Sequence, residues 1–156
     1  MALAYLPFMN AGRTKGPRSI VVSQHLGAWT SFKGPLSSAR VALITSAAVR
    51  HMDQPAFEPP EDTSFRAVPV DAAASDLRID HRSPVGTDAR IDLEVVAPRA
   101  ALGELARAGT IGSIAPFFFS FTGGTELHQQ VEEELVPALA QELKKLNVDL
   151  GLLVPY

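Results

Sequence analysis

Two short, continuous apolar runs constrain the fold of this chain more than any other feature. Residues 41–45 (VALIT) lead into a loop of small residues, and residues 148–154 (VDLGLLV) form a second strand-like run that is apolar after Asp149. Strands buried on both faces carry such uninterrupted runs, whereas half-buried strands alternate apolar and polar residues. Both runs are therefore predicted to be interior strands of a sheet that is covered on both faces.

Weaker strand signals lie between these two runs. Residues 64–70 and 77–81 alternate loosely, which predicts two short strands. Residues 113–115 and the Phe-rich residues 117–121 predict a further strand, which is interpreted as part of the core rather than as an aromatic cage for a ligand.

Two helices are predicted between the strands. Residues 98–108 begin with Pro98 and stop at Gly109, as a helix should. A second helix follows Thr125, and Pro137 is predicted to kink or divide it. The alternation of strands and helices predicts a three-layer α/β fold with a parallel or mixed sheet.

Composition and charge divide the chain into two regions. Residues 1–38 mix Pro, Gly and Ser without a period and are predicted to form an extended basic arm, and residues 39–156 are predicted to form the α/β domain. The first 52 residues hold six basic residues and no acidic one, whereas the remainder holds eight basic and 17 acidic residues. The arm therefore suits either an anionic partner or the acidic surface of the protein itself.

Several classes of function find no support in the sequence. Basic residues are not interleaved with aromatic ones, so no nucleic-acid partner is predicted. No apolar run approaches the ~20 residues of a membrane span and no signal peptide is evident, so a cytoplasmic location without a membrane partner is expected. There is no Cys, which excludes a disulfide framework, a thiolate metal site and a Cys nucleophile within these residues.

Motifs for cofactors and metals are equally sparse, and one His stands out. Phosphate-binding loops are missing, so no cofactor site is predicted. His128 and Glu132 have a spacing that can chelate a metal, but a solvated helix face is the simpler interpretation, so no metal site is predicted. His81 follows a predicted strand and is suited to proton transfer, although a surface His is the alternative.

Eight short segments of residues 39–156 carry a family resemblance. In order, they are residues 41–49 (VALITSAAV), 53–57 (DQPAF), 62–69 (DTSFRAVP), 77–81 (LRIDH), 102–105 (LGEL), 111–116 (IGSIAP), 119–123 (FSFTG) and 148–155 (VDLGLLVP). In this order and spacing they resemble the amino-terminal part of the glycine/sarcosine/betaine reductase selenoprotein B family, which includes the related proline reductase subunit.

The resemblance implies a reductase that cleaves the C–N bond of a small polar substrate. A selenocysteine or a Cys acts as nucleophile in this family, and a pyruvoyl group on a partner subunit binds the substrate amine. The chain is accordingly expected to be a subunit of a reductase complex or a homo-oligomer. The match implies proton transfer by His81 and a substrate site lined by Asp53, Arg66 and Ser120.

The resemblance also locates the expected nucleophile directly after the segment LLVPY, at residues 152–156. The coding sequence is therefore expected to continue through an in-frame UGA codon, which would leave the α/β domain incomplete at Tyr156. The alternative is a non-catalytic paralogue that acts as a binding or regulatory subunit. Departures from the family pattern favour it: Arg50 stands where a His is usual, and Phe117 and Phe118 stand where a basic pair is usual.

Overall fold

The computed structural model describes residues 32–59, 61–81 and 87–156, and four strands come before the first α-helix in it. The strands are β1 (Arg40–Thr45), β2 (Val49–His51), β3 (Phe65–Pro69), β4 (Leu77–Ile79), β5 (Ser113–Ile114), β6 (Phe117–Phe121) and β7 (Leu150–Val154). The α-helices are α1 (Thr87–Ile91), α2 (Arg99–Arg107), α3 (His128–Gln130) and α4 (Val136–Lys145), and a π-helical turn at Val131–Leu135 joins the last two.

The main sheet is built around β1. On one side β1 pairs in parallel with β7 along its length, and on the other side it pairs in parallel with β5 and then with β6. β3 is antiparallel to β6. β2 and β4 form a separate antiparallel pair. The sheet is therefore mixed and carries helices, which confirms the predicted α/β class.

β1 is buried on both faces, as its apolar run predicts. All residues from Val41 to Thr45 are at most 6% exposed. Val41 and Leu43 contact one core cluster, which also contains Leu102 of α2. Ala42 and Ile44 point to the opposite face because successive strand side chains alternate. The prediction of an interior strand is confirmed for β1.

The same prediction is wrong for the second apolar run. Within the described residues β7 pairs only with β1, so it is an edge strand. Its Leu152 and Leu153 side chains are 39% and 70% exposed. An apolar run shows that a strand favours burial but does not show which element covers it. Here Leu150 and Val154 pack on the core, while the residues between them are left open.

Pro137 distorts its helix, as predicted, but does not break it. Residues 128–145 stay helical, and the π-helical turn ends at Leu135, two residues before Pro137. Because a proline has no N–H and its ring clashes with the carbonyl four residues earlier, a wider turn at this point relieves the conflict. The helix is distorted rather than divided.

Other predicted elements are confirmed with small changes of boundary. α2 lies within the predicted residues 98–108, and Gly109 ends it with φ at +70°. The strands predicted at residues 64–70 and 77–81 correspond to β3 and β4, and the single strand predicted over residues 113–121 is divided into β5 and β6. The proposed arm up to residue 31 and the predicted turn near residues 84–86 lie outside the described residues.

Candidate functional site

The carboxyl ends of three parallel strands meet at one edge of the main sheet, and Ser46 ties them together. The Ser46 hydroxyl accepts a hydrogen bond from the N–H of Tyr156 at 2.9 Å, and the Ser46 N–H donates to Val154 at 3.3 Å. The N–H of Gly123 donates to the Ser46 carbonyl at 2.9 Å. In open α/β sheets, ligands bind at this edge. We call the cluster of Ser46, His81, Thr122 and Tyr156 the carboxyl-edge site.

A strained residue brings His81 to the carboxyl-edge site. Ala48 is buried and has φ at +52°, a conformation that residues with a Cβ seldom adopt. Its N–H donates to Phe121 at 3.0 Å, and its carbonyl accepts from the N–H of Asp80 at 3.1 Å. These two bonds join the end of β4 to the end of β6 through the tight loop that follows β1. They hold Asp80 in place, and therefore also position His81, which follows Asp80 in the sequence.

His81 lies against Tyr156. The two ring centroids are 5.1 Å apart and the rings meet edge to face at 75°. Burial lowers the pKa of His81 below its usual value of 6.5, because the protein interior disfavours the charged form. His81 is therefore mostly neutral at pH 7, which makes it a proton acceptor.

Two buried hydroxyl groups complete the carboxyl-edge site. Neither Thr122 Oγ1 nor the Tyr156 hydroxyl has a hydrogen-bond partner within the described residues. Thr122 is 2% exposed and lies opposite Ala47 in an isolated bridge. Buried polar groups almost always have partners, so these two hydroxyls, one of them on the ring that contacts His81, are a feature that a polar ligand would explain.

Ser120 and Arg66, two residues predicted for the site, occupy one row of the main sheet. They are directly opposite each other in the β3–β6 pairing, and Ser120 is also opposite Thr45 of β1. The Ser120 hydroxyl is buried and accepts a hydrogen bond from the N–H of Val49 at 2.7 Å. Ser120 therefore anchors β2 to the main sheet.

The guanidinium group of Arg66 stabilises the loop before β3. It donates to the carbonyls of Pro55 and Ala56 at 3.0 and 3.3 Å, and it lies 4.2 Å from the centre of the Phe57 ring. It also pairs with Asp62 at 3.3 Å. The Arg66 donors are thus directed at the chain's own atoms.

Asp62 is the charged partner that fixes this loop. Burial alone would raise the pKa of Asp62, but its hydrogen bonds from the Ser64 hydroxyl and from the N–H groups of Ser64 and Glu58, with the Arg66 charge, outweigh that effect. The pKa is lowered as a result, so Asp62 stays ionised at neutral pH.

Asp53 lies apart from His81. Its side chain is 82% exposed and is 3.4 Å from His51 Nδ1. In the β2–β4 pairing, His51 is opposite Leu77, at the end of that pair remote from His81. The structure therefore brings Ser120 and Arg66 together in one row, places His81 at the carboxyl-edge site, and leaves Asp53 at the far end of β2.

Sequence reasoning missed three members of the carboxyl-edge site, namely Ser46, Thr122 and Tyr156. A hydroxyl residue directly after an apolar strand was the available signal for Ser46 and Thr122. Tyr156 carries no comparable signal, because its hydrogen bond to Ser46 spans 110 residues of sequence.

The described residues contain neither a cluster of metal ligands nor a membrane-spanning helix. In the described part of the chain, His, Asp and Glu side chains do not gather into a group of three that could hold a metal ion. Across the same ranges no helix has the length and apolar character to cross a membrane.

The chain is similar in sequence to a subunit of a known enzyme. It is 33% identical over 125 residues to D-proline reductase subunit gamma of Acetoanaerobium sticklandii, a match that covers 80% of this chain and 52% of that protein. The chain thus spans about half the length of this curated relative. No family model and no solved structure matches the chain. The similarity supports a reductase-related family.

Proposed function

We propose that the chain is the amino-terminal part of a reductase subunit that cleaves the C–N bond of a small polar amine. The observation that carries this proposal is the similarity to D-proline reductase subunit gamma across 80% of the chain. The carboxyl-edge site supports it, because a neutral His and two buried hydroxyls stand where α/β sheets bind ligands.

The proposed nucleophile is a selenocysteine or a Cys that follows β7 in the longer polypeptide. The backbone of Tyr156 is held by Ser46, so the next Cα would lie about 3.8 Å from that of Tyr156, at the same sheet edge. A selenolate or a low-pKa thiolate supplies a strong nucleophile at neutral pH. Such a group stays reduced in the cytoplasm, which is the compartment that we propose.

His81 is the proposed proton-transfer residue. Being mostly neutral, it can accept the proton of the thiol or selenol as that group forms a bond to the substrate carbon, and then return this proton to the nitrogen that leaves when the C–N bond breaks. The hydroxyls of Thr122 and Tyr156 are suited to hold polar groups of the substrate. A pyruvoyl group on a partner subunit would activate the substrate amine, as the family resemblance implies.

The open side of β7 supports a protein partner. Leu152 and Leu153 are exposed apolar side chains on a strand whose second edge is unpaired within the described residues. Exposed apolar surface on an edge strand favours association. We propose that the rest of the polypeptide or a second subunit covers this surface.

A non-catalytic binding or regulatory subunit is the second candidate. Arg50, which stands where the family usually has a His, forms a 2.7 Å ion pair with Asp80 and donates to three carbonyls of residues 51–54. Phe118, which stands where a basic residue is usual, is fully buried. Both side chains thus have structural roles in this chain. This favours a non-catalytic subunit, in which the polar groups that catalytic relatives have at these two positions are lost.

Activity of the complete complex distinguishes the two candidates. The full-length protein, purified with its partner subunit and supplied with a dithiol reductant, should convert D-proline to its ring-opened amino acid, or cleave a related small amine. A variant with the selenocysteine or Cys replaced by Ser serves as the control and should lose the activity. A stable complex that cleaves neither D-proline nor other small amines would favour the non-catalytic subunit.

A further inference from the structure

The pairing of β1 with β7 ends at Thr45 and Val154, and the Ser46 side chain continues it by one more hydrogen bond. The Ser46 N–H donates to the Val154 carbonyl at 3.3 Å, just past the last paired residues. Pro155 has no N–H and therefore adds nothing to the ladder. The next N–H, that of Tyr156, donates instead to a side-chain oxygen, the Ser46 hydroxyl, at 2.9 Å.

The same hydroxyl also contacts the Tyr156 carbonyl. It donates to that oxygen at 3.4 Å, so one side chain meets both backbone polar groups of Tyr156. Because a peptide bond is planar, the direction of a carbonyl sets the plane in which the chain continues. Ser46 thus restrains the direction in which a following residue would leave the sheet.

Ser46 is itself held from both sides. Its N–H bonds to Val154 of β7, and its carbonyl accepts the Gly123 N–H at 2.9 Å, just past the end of β6. A Cβ at position 123 would lie 3.1 Å from the Ser46 Cβ and 3.2 Å from its Oγ, closer than side chains normally pack. The absence of a side chain at Gly123 therefore lets the Ser46 hydroxyl occupy its place, and these contacts fix that place independently of Tyr156.

We propose that Ser46 is a positioning residue, whose hydroxyl sets the location of the redox residue expected directly after Tyr156. The inference rests on the proposed function, since it concerns the nucleophile proposed there. Ser46 acts through the backbone of Tyr156, whose ring lies against His81 at 5.1 Å, so the restraint also keeps the chain beside the proposed proton-transfer residue. Reacting groups must be held closely, because a displacement of about 1 Å can cost about 10²-fold in rate.

Removing the hydroxyl tests this role without removing the backbone bonds of Ser46. In the full-length protein with its partner subunit, Ser46→Ala should lower kcat for D-proline at least about tenfold and leave KM within about twofold, because the nucleophile is misplaced while the substrate-binding side chains are untouched. Ser75→Ala is the matched control. It removes an exposed hydroxyl that bonds only to the neighbouring Asp76, and both constants should stay within about twofold.

Gly123→Ala reaches the same hydroxyl by a second route. Gly123 does not lie in the left-handed region, so an alanine there acts by its contact with Ser46 and should also lower kcat. The double variant with Ser46→Ala should be little worse than either single variant, because both changes remove one contact. Gly103→Ala is the control, since a Cβ there meets nothing within 4 Å. Losses that simply add in the double variant would contradict a shared role.

Hydrogen exchange of the Tyr156 amide gives a readout that does not depend on catalysis. In the full-length protein, followed by mass spectrometry, this amide should exchange at least about tenfold faster in Ser46→Ala and in Gly123→Ala than in the unmodified sequence or in the two controls.

The two measurements separate failure of this inference from failure of the proposed function. Unchanged exchange in folded Ser46→Ala, or an unchanged kcat in that variant of an active reductase, would overturn the role of Ser46 alone. An unmodified complex without reductase activity would overturn the proposed function and this inference with it, even if faster exchange showed that Ser46 holds Tyr156.

Discussion

If the complete protein is the proposed reductase, replacing His81 with alanine should lower kcat/KM for reductive C–N cleavage by about 10²- to 10⁴-fold, the usual contribution of general acid–base catalysis. His81 adjoins Tyr156 at the carboxyl-edge site and is mostly neutral, so its loss removes the proton acceptor. Steady-state rates with D-proline and a dithiol reductant would measure the effect. His128→Ala, on an exposed helix position, is the matched control and should retain full activity.

The pH profile gives a second test of the same residue. Because burial lowers the pKa of His81, protonation removes the acceptor only when the pH falls below the ordinary value of 6.5. Activity should therefore decline on the acidic side of the profile, and the His81→Ala variant should lose that dependence. An unchanged rate and an unchanged acidic limb in the variant would remove His81 from the mechanism.

Replacing Phe118 with alanine should lower the free energy of unfolding by about 3–5 kcal/mol, because the change removes a large, fully buried ring and leaves a cavity. Phe117→Ala is the matched control on the same strand. Phe117 is 37% exposed, so its truncation should cost roughly 1 kcal/mol. Urea denaturation of both variants measures the difference, and similar losses for the two would contradict the placement of Phe118 in the core.

The contrast between β1 and β7 shows what an apolar run can predict. Both runs predict strands correctly, because hydrophobic patterning is local. Burial depends on what lies on each side, and that depends on the pairing: β1 has neighbours at both edges, whereas β7 has only β1 within the described residues. The interior position of β1 was therefore predictable and the exposed edge of β7 was not.

Some features of the candidate site could also be predicted from the sequence, and others could not. The position of His81 just after a strand could be predicted from the sequence, whereas its role at the site stays a prediction. The role of Arg66 could not, since its contacts with Pro55, Ala56 and Asp62 depend on how the preceding loop folds back over β3. Tyr156 becomes a neighbour of His81 only through the parallel pairing of β1 with β7.

Locating the proposed redox residue is the most direct test of the proposed reductase site at the carboxyl edge. The reduced, full-length protein from its natural source can be alkylated with iodoacetamide, and the labelled residue located by peptide mass mapping. We expect a labelled selenocysteine or Cys within the few residues that follow Tyr156, with slower labelling when D-proline is present. A label only at a remote residue, or a full-length protein with neither residue after β7, would contradict a reductase site at this edge.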